Sequence, residues 1–214
     1  MSITEESVRE SLPSFLRLGW IHHARGALFG IATRDRGMVY MYATHSSTLA
    51  VVEVETERLI RLWRCPTSRE PWLAFGNERT WRADRKFGLA EAGFLAGSGN
   101  PVDLASVACS EVTFPQAVWR WTGKNGLVRQ EATTSLHFGF IDGITRTLWL
   151  LAHGARTIPV TCAAGDAALL SRHAGVRAAR VIRLSELVPR YISPEEQLKD
   201  IRDSVTPLES IRRV

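Results

Sequence analysis

Residues 142–146 read Asp-Gly-Ile-Thr-Arg and join a stretch typical of a strand to a stretch typical of a helix. The glycine lets the backbone approach a ligand closely, and the first N–H groups of a helix attract anions. The guanidinium of Arg146 would bind the same anion, and the hydroxyl of Thr145 would add a hydrogen bond. These residue types predict a phosphate site made by Gly143, Ile144, Thr145 and Arg146.

Two further side chains near this turn could take part in chemistry. Asp142 could hold Mg²⁺, which typically binds one or two carboxylates together with phosphate oxygens, or it could cap the helix. His137 lies on the strand that leads into the turn, so it could reach the phosphate, or it could be an edge histidine held by a hydrogen bond. Asp142 is the candidate metal ligand, and Asp142 and His137 are the candidate catalytic residues.

The turn also has a purely structural interpretation. Its Gly-x-x-Arg pattern is short, and it lacks the glycine spacing and the lysine of a Walker A loop. In the structural interpretation Gly143 only makes a turn, and Arg146 pairs with a neighbouring carboxylate. The residues of the turn do not decide between the two interpretations.

Residues 58–86 form a basic stretch with eight basic and three acidic residues, an excess equal to the whole net charge of +5. Clustered arginines bind nucleic acid through counterion release, so the stretch predicts a face that binds DNA without sequence preference. Alternatively, its arginines pair with Glu53, Glu55 and Glu57 or only keep the surface soluble. The predicted DNA-binding residues are Arg58, Arg61, Arg64, Arg69, Arg79, Arg82, Arg85 and Lys86.

The first quarter of the chain predicts a helix followed by a meander of strands. Apolar residues at helical spacing predict a helix over residues 3–18, interrupted by Pro13. Three strand-like runs follow, separated by turn-rich pieces: Ala27–Thr33, Met38–Thr44 and Leu49–Glu55. Glu53, Glu55 and Glu57 alternate, so one face of the third strand is expected to be exposed.

The middle of the chain predicts less regular structure. Residues 58–64 fit a helix or a strand, and residues 65–101, with several glycines and prolines, predict a loop. Five aromatic side chains are expected to anchor this loop to the core: Trp72, Phe75, Trp81, Phe87 and Phe94.

From Pro101 onward, strand-like and helix-like segments alternate, which predicts an α/β or α+β fold. The predicted strands are residues 102–112, 115–123, Ser135–Ile141, Thr157–Cys162 and Arg180–Leu184, with a turn at residues 123–126. The predicted helices are Thr145–His153, Ala163–His173, and one from the N-cap Ser193 to about Val205.

Composition limits the class of protein. No apolar run reaches about 18 residues, so no membrane-spanning helix is expected, and the polar N-terminus lacks the features of a secretory signal. The three cysteines, Cys65, Cys109 and Cys162, form no CxxC pair and no zinc spacing. A reducing cytoplasm is the simplest expectation.

Two separated blocks carry a resemblance to a known family. Residues 143–151 read GITRTLWLL and are followed by an Ile-Pro-Val strand, and residues 100–105 read NPVDLA. Together with residues 81–94, they resemble the plasmid fertility inhibition factors of the ParB/sulfiredoxin superfamily. The resemblance covers roughly residues 80–165.

The resemblance implies a ParB/sulfiredoxin-like mixed-sheet core with flanking helices, which we expect over residues 76–214. Residues 1–75 add nothing to the resemblance, and their strand-like runs predict a β-rich extension packed on that core. It implies a plasmid-encoded protein that blocks conjugative DNA transfer, with ATP and Mg²⁺ at the turn and with DNA and components of a type IV secretion system or relaxosome as partners. ATP hydrolysis and DNA cleavage are the implied activities. The alternative is a catalytically silent protein of the same fold that blocks the transfer machinery.

Two departures from the superfamily matter. Sulfiredoxin has a cysteine inside this turn, where the present chain has Ile144 and Thr145, so thiol chemistry is not expected there. ParB clamps carry a helix-turn-helix DNA reader after the nucleotide domain, and the roughly 50 residues after Cys162 are too few for one. Recognition of a DNA operator is therefore not expected.

Overall fold

The computed structural model describes residues 5–22, 24–120, 127–177, 179–190 and 194–205. The strands are β1 (Phe15–Ile21), β2 (Ala24–Thr33), β3 (Gly37–Thr44), β4 (Leu49–Glu55), β5 (Val102–Asp103), β6 (Ala105–Arg120), β7 (Leu127–Asp142), β8 (Thr157–Ala163) and β9 (Ile182–Arg183). The helices are α1 (Glu5–Ser11), α2 (Thr56–Trp63), α3 (Glu78–Arg82), α4 (Phe87–Leu95), α5 (Ile144–Ala152), α6 (Ala167–Ala174), α7 (Leu184–Leu187) and α8 (Pro194–Val205). Two 3₁₀ helices span Pro71–Phe75 and Gly97–Gly99.

The strands form two mixed sheets. The first has the order β1-β2-β3-β5, in which only the β3–β5 pair is parallel. The second has the order β7-β6-β8-β4-β9, in which only β6 and β8 run parallel. One hydrophobic cluster contains buried residues of both sheets, such as Phe29 and Val160. The predicted mixed α/β architecture is confirmed.

The N-terminal segment differs from its predicted helix. Helix α1 ends at Ser11, and residues from Phe15 onward pair with β2 as an antiparallel strand. Pro13 cannot continue a helix because it has no N–H and its ring clashes with the preceding turn. The three predicted strands that follow are confirmed as β2, β3 and β4, with β2 beginning three residues earlier.

Strand β4 does not have the exposed face that its alternating glutamates predicted. Its five central residues, 50–54, are all buried, and Glu53 is only 1% exposed. The backbone N–H and the hydroxyl of Ser14 donate hydrogen bonds to the Glu53 carboxylate at 3.2 and 3.0 Å. The expectation was wrong because β4 lies between β8 and β9 and is covered on both faces, where even a carboxylate is buried.

Residues 65–101 are more regular than the predicted loop, because they contain α3, α4 and both 3₁₀ helices. Asn77 caps α3 through hydrogen bonds from the N–H groups of Arg79 and Thr80. This cap is a local signal for a helix, but the prediction of a loop was based on the number of glycines and prolines. Phe87 and Phe94 are buried, as expected. Trp72 and Phe75 are exposed, so the expectation that they anchor the segment was wrong.

Strands β6 and β7 form a long antiparallel hairpin, of which only Ala105–Val107 also pairs with β8. The turn predicted at residues 123–126 lies outside the described residues, as does the predicted N-cap Ser193. Helix α5 confirms the predicted helix after the Asp-Gly turn, whereas α6 begins four residues later than predicted. The strand predicted at Arg180–Leu184 is shorter in the structure: β9 has two residues, and the short helix α7 begins at Leu184.

Two further expectations concern the chain as a whole. The division at residue 75 stays a prediction, and β4, which precedes it, is a strand of the same sheet as β6, β7 and β8. In the described part of the chain, no helix is long and apolar enough to cross a bilayer. Helix α5 packs against both α3 and α4, which places the turn at its N-terminus beside α4.

Candidate functional site

The turn between β7 and α5 requires glycine at position 143. Gly143 has φ 89° and ψ 15°, a left-handed conformation that other residues rarely adopt. A Cβ atom there would lie 2.7 Å from the Cα of Ala105 on β6. The first helical hydrogen bond is donated by the N–H of Thr147 to the Gly143 carbonyl. The preceding N–H groups of residues 144–146 therefore have no acceptor within the helix.

An irregularity in β7 shapes the approach to the turn. Ser106 pairs with Asp142 while Val107 pairs with Phe140, so Ile141 is an extra residue in the β7 strand. Such bulges often re-aim a side chain next to a functional site. Here the bulge leaves Ile141 69% exposed at the mouth of a cleft.

Arg146 forms an ion pair across the turn. One of its terminal nitrogens donates to a carboxylate oxygen of Asp142 at 2.6 Å. Burial alone would raise the pKa of Asp142, but the hydrogen bond and the charge of Arg146 outweigh it and lower that pKa. The Nε of Arg146 is buried without a partner. Arg146 is thus paired with a neighbouring carboxylate, as the structural interpretation predicts, and its guanidinium binds an anionic group at this turn.

The turn borders a cleft of about 390 Å³ that also reaches α4. Lys86, at the N-terminus of α4, adds a second cationic side chain from far away in the sequence, and its charge further lowers the pKa of Asp142. Leu89, which is 73% exposed, and Ile141 provide apolar walls. All the predicted phosphate-binding residues line this cleft: Gly143, Ile144, Thr145 and Arg146.

Tyr42 and Asp103 line a separate pocket, and the charge of Arg146 reaches Tyr42. Burial, together with a hydrogen bond to Asp103 and the negative charge of Asp103, raises the pKa of Tyr42 to about 12, while the charge of Arg146 acts in the opposite direction. The phenol therefore stays neutral at pH 7. The charge of Arg146 thus acts on Tyr42 of β3 as well as on Asp142 of β7.

His137 does not reach the cleft. It lies five residues before Asp142 on β7, opposite Ser110, and its Nδ1 is hydrogen-bonded to the carbonyl of Thr67. Five residues of strand span roughly 16 Å. The structure therefore brings Asp142 but not His137 to the phosphate-binding turn, and His137 is the hydrogen-bonded histidine of the alternative interpretation.

The side chains of the basic stretch have different partners within the protein. Arg58 donates to the carbonyls of Arg172 and Gly175 at the end of α6, and Arg82 pairs with Glu78 and Asp35. These two arginines are therefore engaged within the protein. Arg64 likewise donates to a backbone carbonyl, that of Ala74. Apart from Arg82, no member of the stretch forms an ion pair within the described residues: Arg58, Arg61, Arg64, Arg69, Arg79, Arg85 and Lys86. In the same part of the chain, no arginine of the stretch pairs with Glu53, Glu55 or Glu57.

The cysteines lie away from the turn. Burial raises the pKa of the Cys109 thiol to about 11 and that of Cys162 to about 12, and Cys65 is half-buried. Across the described ranges, no three His, Cys, Asp or Glu side chains are grouped so that they could hold a metal ion. Asp142 would therefore hold Mg²⁺ only together with ligand oxygens.

The family is decided by a match to residues 51–175, more than half of the chain, with the model for the plasmid fertility inhibition factors. The chain belongs to this family. A curated relative of this fertility inhibition factor, Protein osa from Shigella flexneri, is 31% identical over 116 residues. That match covers 50% of the chain and 51% of the relative, so the chain spans about half the length of the curated relative it matches.

A solved structure extends the comparison to nearly the whole fold. The crystal structure of Oncogenic Suppression Activity Protein, described as a plasmid fertility inhibition factor and studied as a gold(I) cyanide derivative, matches with a TM-score of 0.55 and 23% identity. The match covers 92% of this chain and 90% of that one. At this identity it shows that the two proteins share a fold.

Sequence reasoning missed Lys86 as a residue of the cleft, and it missed Tyr42 and Asp103, which line a separate pocket. Lys86 was assigned to a DNA-binding face, and Tyr42 and Asp103 were not selected at all. For Asp103 a signal existed, because it lies in the NPVDLA block that carried the resemblance. For Tyr42 there was none, since its proximity to Arg146 follows from the pairing of β3 with β5.

Proposed function

We propose that this fertility inhibition factor binds ATP at the β7–α5 turn, hydrolyses it, and uses it to block conjugative transfer of a competing DNA. The observation that carries the proposal is the cleft at the N-terminus of α5, which Arg146 and Lys86 line together with the residues of the β7–α5 turn. The Arg146 guanidinium already binds the Asp142 carboxylate, beside three N–H groups that have no acceptor within the helix. Phosphate oxygens would make the same contacts.

The lining of the cleft fits the parts of a nucleotide. Arg146, Lys86 and the N–H groups of the turn would contact phosphates, and the exposed side chains of Leu89 and Ile141 would pack against the apolar face of a nucleoside. The cleft volume of about 390 Å³ lies within the usual range for small-molecule sites.

Asp142 makes the proposed binding dependent on Mg²⁺. Its lowered pKa keeps the carboxylate charged at pH 7, and this charge would repel a bare triphosphate. One carboxylate plus phosphate oxygens and water is an ordinary Mg²⁺ ligand set, so Asp142 fits the ion. When bound, Mg²⁺ would neutralise phosphate charge and polarise the phosphorus–oxygen bond.

For hydrolysis the cleft offers one of the two predicted catalytic residues, Asp142, because His137 does not line it. The resemblance also implies DNA cleavage. In the described part of the chain, no group of three or more His, Cys, Asp or Glu side chains could hold a metal ion for that reaction. These observations favour a second candidate, a catalytically silent protein that binds the transfer machinery. The two candidates differ in whether ATP is turned over.

The deciding experiment is calorimetric titration of the purified protein with ATP, with and without Mg²⁺, followed by phosphate release. We expect binding with Mg²⁺ and its loss in Arg146→Ala, while the circular dichroism spectrum stays that of the parent. Arg156→Ala, an exposed arginine beyond the other end of α5, is the matched control and should bind as the parent does. Unchanged ATP affinity in Arg146→Ala would refute the site, and binding without phosphate release would favour the silent protein.

A further inference from the structure

The 3₁₀ helix Pro71–Phe75 presents two large aromatic side chains to solvent. Trp72 and Phe75 are each 65% exposed. Side chains three residues apart on a 3₁₀ helix lie above one another, so these two share one face. We call Trp72 and Phe75 the aromatic platform.

The aromatic platform is held rigidly by the residues beneath it. The indole N–H groups of Trp63 and Trp81 donate to the carbonyls of Arg69 and Leu73, each at 2.9 Å. Arg64 Nε donates to the Ala74 carbonyl, also at 2.9 Å. Three backbone carbonyls in and before the 3₁₀ helix are thus fixed by side chains. The exposure of the platform is therefore a property of ordered structure.

A groove of about 350 Å³ runs between the aromatic platform and α3. Trp81 forms part of its opposite wall, and Leu148 of α5 contributes to its lining. Asp84 also lines the groove, and Lys86, two residues later, lines the cleft at the β7–α5 turn. The groove and the cleft are therefore neighbours, linked by the short segment between α3 and α4.

Among the residues that the structure describes, Asp84 is the one charged residue that lines the groove, and basic residues lie beside it in the chain and next to Phe75. The guanidinium carbon of Arg64 lies 5.2 Å from the centre of the Phe75 ring. Arg79 and Arg85 are exposed and form no ion pair within the described residues, whereas Glu78 is neutralised by Arg82 and Arg34. A ligand that complements this surface carries repeated negative charge together with flat apolar faces.

We propose that the aromatic platform, with Arg64, Arg79 and Arg85, binds single-stranded nucleic acid. Unpaired bases stack on Trp72 and Phe75, and the phosphates between them contact the arginines. A duplex hides its base faces, so the same surface prefers a single strand. This inference deepens the proposed action on transferred DNA and rests on it, but it does not depend on ATP binding at the β7–α5 turn.

Fluorescence anisotropy tests the proposal with a labelled oligo-dT of 20 nucleotides and a 20-base-pair duplex, both without ATP and over a series of salt concentrations. The double variant Trp72→Ala/Phe75→Ala should weaken single-strand binding at least tenfold and leave the slope against log salt unchanged, because it removes stacking but no charge. Arg79→Gln/Arg85→Gln should reduce that slope by about 1.4 if each arginine contacts one phosphate of a single strand.

Matched variants separate the proposal from trivial effects. Leu95→Ala removes an apolar side chain of similar exposure, 66%, and should bind the oligonucleotide as the parent does. Trp72→Phe keeps a stacking ring and should retain most of the affinity. Equal affinity for duplex and single strand, or an equal loss in Leu95→Ala, overturns the proposal.

If the parent binds no oligonucleotide at low salt, the proposal is also overturned, and a protein becomes the better partner for the platform. The test is independent of the proposed nucleotide site. Arg146→Ala should keep its oligonucleotide affinity, and Trp72→Ala/Phe75→Ala should keep its ATP affinity. Loss of ATP binding in Trp72→Ala/Phe75→Ala would show that the aromatic platform and the cleft at the β7–α5 turn are not separate sites, and it would overturn the proposal.

Discussion

A terminal guanidinium nitrogen of Arg146 lies 2.6 Å from a carboxylate oxygen of Asp142, four residues earlier, on the other side of Gly143. The pair closes the β7–α5 turn with an interaction of the kind that would hold a phosphate. Arg146 is largely buried, with 22% of its side chain exposed, whereas Asp142 is 70% exposed. The carboxylate is thus the partner that solvent and ions can reach, and its displacement or bridging by a cation would free the guanidinium.

Asp142→Asn should change how ATP binding depends on Mg²⁺. The lowered pKa of Asp142 shows that its carboxylate is charged at pH 7, so it opposes a bare triphosphate. We expect the amide variant to bind metal-free ATP about tenfold more tightly, and to lose most of the gain that Mg²⁺ gives the parent. Calorimetric titration at two Mg²⁺ concentrations measures both effects. An unchanged response to Mg²⁺ would remove Asp142 from the proposed metal site.

The turn was predictable because its signals are local. A glycine that precedes an apolar helix and follows a β-rich segment identifies a strand-to-helix turn without knowledge of the rest of the fold. Lys86 was placed on a different face because its position depends on how α4 packs against α5. The same limit explains Trp72 and Phe75, since hydrophobicity alone does not say which aromatic side chains the packing leaves exposed.

The error at Glu53 has a different cause. Alternation of polar residues predicts a half-exposed strand only when one face is solvated. Strand β4 is covered on both faces, and the carboxyl group is accommodated by Ser14, which lies 39 residues away. No local pattern indicates such a partner.

Gly143→Ala should destabilise the protein more than Gly37→Ala, in which only the left-handed backbone conformation opposes the new side chain. The left-handed conformation costs alanine roughly 1–2 kcal/mol, and the contact of its Cβ with Ala105 at 2.7 Å adds overpacking. We expect a total loss of about 3 kcal/mol in the free energy of unfolding. Gly37→Ala is the matched control, with φ 69° and no atom within 4 Å of the new Cβ. Urea denaturation of both variants separates the two contributions, and equal losses would contradict the close packing of Gly143.

The cysteines should be dispensable for nucleotide binding, because none lies at the turn. With pKa values raised to about 11 and about 12 by burial, Cys109 and Cys162 stay protonated and should react with a thiol reagent only after unfolding. Cys65 should react in the native protein. A Cys65→Ser/Cys109→Ser/Cys162→Ser variant that keeps its fold but loses ATP binding would contradict this assignment. A modest loss of stability alone would not.

Glu53→Gln should alter how stability depends on pH. Burial raises the pKa of Glu53 above its usual 4.5, so the folded protein holds this proton more tightly than the unfolded chain does. The parent therefore loses stability as the pH rises from about 4.5 through the folded-state pKa. The neutral glutamine removes that loss, so the variant should gain stability relative to the parent at pH 7 but not at pH 4. Denaturation curves of the parent and the variant at both pH values measure this gain, and an equal stability difference at pH 4 and pH 7 would contradict it.

Arg58→Gln and Arg61→Gln should separate two tasks within the basic stretch. Arg58 donates to the carbonyls of Arg172 and Gly175, which end α6 and would otherwise lack partners. Its loss should lower the free energy of unfolding by about 2 kcal/mol and leave the salt dependence of duplex DNA binding unchanged.

Arg61 is exposed and has no ion pair within the described residues. Its replacement by glutamine should leave stability unchanged and reduce the slope of log affinity against log salt by about 0.9 if it contacts one phosphate. Urea denaturation and a duplex titration over the same salt series give both readouts for both variants. A flattened salt slope in Arg58→Gln, with unchanged stability, would return this arginine to the DNA-binding face that the charge of the stretch predicted.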